Sequence, residues 1–325
     1  MVPDAWYAIT TSRRVRTRPV ALHRLGRRLV AWRDGDGRVV VHEDRCPHKG
    51  ARLSDGCVDG GLLACPYHGF RFASDGRCVV VPVHPDRPVP RALQVHPLPV
   101  REAHGLVWLW HGEGEPSAEL PWFPDLAWPS RRAADTTLEL PLHYSRFVES
   151  NFDLYHFPFV HRSIDPGMGV AMEDFACEHD EDGAIRTSGR LVRRDGRPGA
   201  SFRVDFLPPN VQRIEVARQF VGLVISTPID DRTTWVFARF ETRMAVPDWL
   251  ARMISWLLAK VDAGFVQVRQ DLPVLTQLTP LMADPTACVW VPADAGAARY
   301  VQWRHRRLRR AEETRAASPL RQAGS

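Results

Sequence analysis

Short apolar runs broken by turn residues fill roughly the first third of the chain, and the pattern then changes twice. "RRLVAWRDGDGRVVVHEDR" sets two valine-containing runs on either side of Asp34-Gly35-Asp36-Gly37, which predicts a β-hairpin. "FRFASDGRCVVVP" repeats the scheme with a turn at Asp75-Gly76, and "GLVWLW" (105–110) is a further strand. These runs predict a small all-β domain with loops. Residues 111–130, "HGEGEPSAELPWFPDLAWPS", read as a linker whose tryptophans pack against one of the domains. Residues 142–157 look helical, with Pro158 ending or kinking the helix. Strand character returns over 177–241, and a second helical stretch covers 247–282. Helices flanking a long antiparallel stretch predict an α+β domain, a curved sheet gripping a helix over a cavity.

Length and composition fit this outline. A chain of 325 residues suggests two domains, and 44% hydrophobic with 25% charged residues is an ordinary globular balance. The N-terminal stretch lacks the apolar core of a signal peptide. The most apolar helical run (249–261) contains Arg252 and Lys260 and is too short to span a bilayer. A soluble cytoplasmic protein is therefore expected. In that compartment the six cysteines are ligands, nucleophiles or buried apolar groups more often than disulfides. The net charge of +5 is uneven: residues 13–28 carry seven arginines and no acid, and residues 299–321 carry eight arginines against Glu312 and Glu313. These stretches are solvated surface, the second a basic tail (306–325), or a docking surface for an acidic protein partner. No nucleic-acid recognition module accompanies them.

The densest chemistry lies in "CPHKGARLSDGCVDGGLLACPYHG", from Cys46 to Gly69. Cys46-x-His48 and Cys65-x-x-His68 are two close pairs separated by sixteen residues. Zinc fingers usually group their cysteines together and their histidines together. Here each arm supplies one of each, which suits a [2Fe–2S] cluster of Rieske type, one iron on two thiolates and the other on two imidazoles. Pro47 and Pro66 stiffen the arms, and Gly50, Gly56 and Gly69 permit close backbone approach to sulfur. Cys57 and Cys78 fall outside the pairing and read as buried small residues, with a mutual disulfide as the alternative.

A second constellation is "ESNFDLYHFPFVH". Asp153 and His156, three apart, share a helix face. His156 and His161, five apart, would diverge by about 140° on a continuous helix, and Pro158 turns the chain so that His161 swings back. Two histidines and a carboxylate make the facial triad of non-haem Fe(II) oxygenases. Asp271, at the edge of an apolar helical stripe in "VRQDLPVLTQ", is the chosen carboxylate, with Asp262 and Asp284 as alternatives.

Residues 1–112 closely resemble the Rieske domain of non-haem iron ring-hydroxylating oxygenases, through both Cys/His arms, "GFRFASDGRCVVVP" and "GLVWLW". Residues 113–305 are similar to the family's helix-grip, START-like catalytic domain, through "DLYHFPFVH" and "QDLPVL". Gln270 departs from the family's commoner acidic pair, and Thr276 replaces a frequent acid. The resemblance implies that Asp153 is not a ligand but bridges His156 to a cluster histidine, His68, of an adjacent protomer in a homotrimer. It places Asn151 and Glu149 beside that path. It implies that an external reductase or ferredoxin carrying NAD(P)H-derived electrons through flavin reduces the cluster, since no dinucleotide-binding fingerprint occurs in the chain. A single chain of this length resembles members that act alone, which favours monooxygenation of an apolar organic substrate over dihydroxylation. The rivals are a Rieske electron carrier fused to a ligand-binding domain and a zinc-stabilised lipid-binding module. "LPPNVQRIEVARQFVGLVISTPIDDRTTWVFARF" is expected to line the substrate cavity.

Overall fold

The structure, a computed structural model, describes residues 1–317. The chain divides into two compact units, residues 4–118 and residues 119–325 together with Met1–Pro3. The N-terminal tripeptide belongs to the second unit because Val2 is buried in that unit's core.

The first unit contains three small antiparallel sheets. One joins β1 (Ala5–Thr11), β10 (Leu106–His111) and β9 (Val100–Ala103). Another joins β2 (Val20–Arg24), β3 (Arg27–Arg33) and β4 (Val39–Glu43). The third runs in order through β5 (Cys57–Asp59), β6 (Leu62–Ala64), β7 (Arg71–Phe72) and β8 (Cys78–Val80). The expected hairpins are β3–β4 and β7–β8. Trp32, Leu63 and Phe72 make a core that also takes in Cys46 and Cys65, so the Cys/His arms are anchored by ordinary apolar burial. Cys78 is buried but Cys57 is exposed, contrary to expectation, and both are free thiols. Gly56 approaches backbone rather than sulfur: a Cβ there would lie 1.9 Å from the Ala64 carbonyl oxygen, the close contact that lets β5 pair with β6.

The second unit is built on one seven-stranded antiparallel sheet, ordered β11 (Ala133–Leu140), β17 (Thr234–Thr242), β16 (Phe220–Pro228), β15 (Val211–Val216), β14 (Pro198–Leu207), β13 (Ile185–Arg193) and β12 (Met168–His179). Alternation divides its residues between two faces. On β15 and β17 the even-numbered Ile214, Val216, Val236 and Ala238 line a cavity. The odd-numbered Arg213 and Arg239 lie on the other face, where the expected linker covers them. Arg213 pairs with Asp125 and sits 4.7 Å from the Phe123 ring, and Arg239 lies 3.7 Å over Trp128. The aromatic stretch is thus a lid on the sheet and part of the second unit, not a free connector.

The predicted helix over 142–157 is two pieces, α1 (Tyr144–Ser150) and α2 (Phe157–Val160). The chain breaks before the proline, not at it. Pro158 lies in the first turn of α2, where its missing N–H costs nothing. The stretch predicted over 247–282 is α3 (Asp248–Val261), a π-helix (Asp262–Asp271) and α4 (Leu272–Leu275), ending seven residues early. The basic segment from Arg306 continues α5 (Ala295–Ala317), whose Tyr300, Val301 and Trp303 pack into the core, so residues 306–317 are helix and not a separate tail. Residues 318–325 of the expected tail lie outside the described residues.

Candidate metal centres and cavity

The two Cys/His arms form loops with one hydrogen-bond frame. In each, the cysteine N–H donates to the carbonyl five residues on, Cys46 to Ala51 (2.8 Å) and Cys65 to Phe70 (2.8 Å). The glycine four residues on donates back, Gly50 to Cys46 (2.9 Å) and Gly69 to Cys65 (3.1 Å). Both glycines are left-handed, at φ +77° and +68°, where another residue would be strained. Asp44 braces the first loop by accepting from the Ser54 N–H (2.7 Å) and hydroxyl (2.6 Å).

This frame sorts the donors. Cys46 and Cys65 are buried, whereas His48 and His68 are exposed with ring centroids 4.7 Å apart. His48 also stacks on Phe70. Burial pushes the Cys46 thiol up to about 11, while the His48 and Lys49 N–H groups favour the thiolate. A buried sulfur beside a second sulfur ionises when a cation arrives to hold it. Among the described residues, the one group of three ligand atoms within 4.8 Å of one another lies elsewhere, so the four donors do not close on a single point as mononuclear zinc requires. Paired sulfurs inside and paired imidazoles at the rim fit a two-iron cluster.

That other group is His156, His161 and Asp271. His156 ends the break between α1 and α2, His161 follows α2, and Asp271 closes the π-helix. The two Nε2 atoms are 3.0 Å apart, and Asp271 Oδ1 lies 3.2 Å from His161 Nε2 and 3.6 Å from His156 Nε2. Metal–ligand bonds of about 2.1 Å put neighbouring octahedral ligands about 3 Å apart, so the three atoms fit one face of a coordination sphere. The Nδ1 atoms are engaged behind them, His156 with the Asp153 carbonyl and His161 with Gln270 Oε1 (2.9 Å). Gln270 in turn donates to Ser163 Oγ (2.7 Å). This is the orienting arrangement of metal-bound histidines. Burial opposes charge on His156, yet Asp153 and Asp271 push its pKa up to about 9. Burial likewise opposes ionisation of Asp271, and the two histidines hold it below the usual carboxylate range. The pocket is built for a positive charge.

The three residues sit in the wall of a cavity of about 340 Å³, lined mainly by apolar residues such as Phe147, Leu154, Val224 and Phe240. The π-helix decides what enters this wall. Asp262, Val266, Gln267 and Asp271 all line it. On an α-helix, Asp262 and Asp271 would point about 180° apart; a π-helix, with about 4.4 residues per turn, brings them to one face. Asp262 stands outside the ligand group, accepts from Gln267 Nε2 (3.3 Å), and is pushed up to about 6 by burial, with Asp271 adding to the rise. Asp284 only caps Thr286 and is not in the wall.

Asn151 lines the cavity and donates to Gln212 Oε1 (2.9 Å). Glu149 does not line it: its carboxylate accepts from Arg146 Nη1 (2.7 Å), an ion pair tied to the Pro280 carbonyl. Asp153 touches His156 on the side away from Nε2, its Oδ1 accepting from the His156 N–H (3.2 Å). The expected segment 207–240 supplies one wall of the cavity; Leu258, Val261 and the π-helix supply another that strand patterning did not reveal.

The comparisons with known proteins agree with this arrangement. Residues 5–97 match the Rieske [2Fe-2S] domain family. The chain is 34% identical over 291 residues to "Protein TIC 55, chloroplastic" of Pisum sativum, covering 83% of this chain and 52% of that protein. It is 34% identical over 165 residues to the oxygenase component of dicamba O-demethylase of Stenotrophomonas maltophilia, covering 50% of this chain and 48% of that one. Among solved structures, NdmA of Pseudomonas putida CBB5 superposes with a TM-score of 0.73 at 26% identity, over 96% of this chain and 92% of that one. The chain spans about half the length of the curated relatives it matches. The residues matched by the Rieske family carry the twin Cys/His loops, and the sheet-built domain that follows carries a His-His-Asp triad; in both respects the chain is similar to Rieske non-haem iron oxygenase components such as that of dicamba O-demethylase.

Proposed function

We propose that this chain is the oxygenase component of a multi-protein system that monooxygenates an apolar organic substrate, by hydroxylation or oxidative demethylation. The observation that carries the reading is the convergence of His156, His161 and Asp271 in the wall of an apolar cavity. Cys46, His48, Cys65 and His68 would hold the [2Fe–2S] cluster, and the triad would hold Fe(II), which supplies O2 activation when bound.

The remaining roles belong to the chain's own side chains. Gln270 fixes the His161 ring so that Nε2 faces the cavity. The apolar wall excludes water and takes up substrate. Among the described residues no Lys or Arg lines the cavity, while Asp262 and Gln267 offer acceptor oxygens beside the triad. A substrate with an O–H or N–H group and no carboxylate suits that wall. Exposed His68 is the outlet of the cluster, and Asp153, against His156, is the receiving end on the adjacent protomer of a homotrimer. Electrons come from NAD(P)H by way of a flavin reductase or an acidic ferredoxin.

The test is a single turnover. Holoprotein is reduced chemically, freed of reductant and mixed with 18O2 and a panel of neutral aromatic and alicyclic compounds. The expected result is a product with one labelled oxygen, or one lacking a methyl group, formed by the wild type and not by Asp271→Ala. Reoxidation at equal rates in both proteins without product would establish an electron carrier instead.

A further inference from the structure

Helix α3 packs with its polarity reversed. Its buried residues are the small Ala251, Ser255 and Ala259, four apart, and Ser255 Oγ reaches Thr242 Oγ1 on β17 at 3.1 Å. The large apolar residues point outward: Trp249, Met253, Trp256 and Leu257 are 69, 52, 54 and 56% exposed. Val261, Phe265 and Val268 extend the patch along the π-helix. Tryptophan is highly buried on average, so two in one contiguous apolar patch mark an interaction surface.

Charge narrows the partner. Along α3 and the π-helix up to Gln270 the exposed charges are Arg252, Lys260 and Arg269 against one exposed acid, Asp248, which is paired with Arg132 (2.8 Å), while Asp262 faces the cavity. A second copy of the same face would set these cations against their symmetry mates. Basic side chains beside an apolar face keep their heads at water level over buried stems, and tryptophan rings settle at headgroup depth. With 14 residues, α3 is too short to span a bilayer, yet it has the pattern of a helix lying in the interface plane. The cavity also opens here: Val261 and Ile164 are exposed and line the cavity as well.

We propose that the outer face of α3 and the π-helix is a peripheral binding surface for an anionic lipid bilayer. The claim rests on the fold; that the lipid phase also delivers apolar substrate to the cavity rests in addition on the oxygenase reading.

Flotation of the holoprotein with vesicles tests it without any turnover. With phosphatidylcholine vesicles containing about a quarter phosphatidylglycerol, the protein floats, and with pure phosphatidylcholine at least about fivefold less does. The Trp249→Ser, Trp256→Ser, Leu257→Ser variant stays at the bottom with an unchanged circular dichroism spectrum. Arg252→Glu with Lys260→Glu removes the preference for anionic vesicles. Trp249→Phe with Trp256→Phe still floats but loses fluorescence quenching by brominated acyl chains, which keeps the test decisive should the serine variant misfold. Three results would overturn the proposal: wild type left at the bottom with anionic vesicles, flotation indifferent to these substitutions, or sedimentation showing that the serine variant dissolves an oligomer, which makes a second copy the occupant.

Discussion

The chain assembles its two candidate metal centres by opposite routes. The Cys/His loops take all four donors from 23 consecutive residues and hold them with backbone hydrogen bonds inside each loop. The His-His-Asp site takes two donors from the ends of a one-turn helix and the third from a π-helix more than a hundred residues later. The first is a local structure resting on a small core, its imidazoles exposed; the second exists only once a sheet, α2 and the π-helix have met. Local loops suit a centre that exchanges electrons at its rim. A triad in a cavity wall suits a centre that must meet an apolar molecule away from water.

The contrast breaks first at the ligands. Cys65→Ser should abolish visible cluster absorbance and both cluster irons, and lower the melting temperature, because Cys65 is also a core residue. His156→Ala should leave the absorbance unchanged and remove one iron only. A His156→Ala protein that loses its cluster would show that the two centres do not form independently.

Acid sharpens the contrast next. Burial holds His42, in the first unit, down at about 4 and His143, in the second, down at about 3. Both lie below the unfolded value of 6.5, so the unfolded chain binds more protons and stability falls as pH drops below 6.5. The loss, on the order of a few kcal/mol for each group, stops near pH 4 for His42 and continues to about pH 3 for His143. Denaturant titrations between pH 7 and 4 should show it, and His143→Gln should flatten the second unit's dependence.

Gln270→Leu frees His161 Nδ1 and should weaken iron retention about 10- to 100-fold, measured by chelator competition, with the cluster untouched. The smallest effect is expected from Asp262→Asn: iron content unchanged, and preference for hydroxylated or amino substrates over their methyl ethers reduced about tenfold.

Legibility followed the same divide. The two Cys/His loops could be read from spacing because one loop frame repeats within a short segment. His156 and His161 could be read as a pair, but for an incorrect reason. The helix breaks at residues 151–156, where Asp153 and the chain's own carbonyls compete for hydrogen bonds, not at Pro158. Asp271 was legible only as the edge of an α-helical stripe, since periodicity at 3.6 cannot show a π-helix; the four-to-five spacing of Asp262, Val266, Gln267 and Asp271 was the available signal. Gln270, set down as a departure from pattern, proves to orient His161, and Glu149 proves to be half of an ion pair. The linker's tryptophans were expected to pack against one domain, and Trp128 does so on the second unit; which face it covers, where Arg213 and Arg239 meet the linker's aromatic rings, depends on a sheet that no linear pattern orders.

The account stands or falls on two separate iron centres. Iron and acid-labile sulfide determined on anaerobically reconstituted wild type and Asp271→Ala should give about three irons per two sulfides in the first and about two per two in the second. Two irons per two sulfides in both proteins would contradict it.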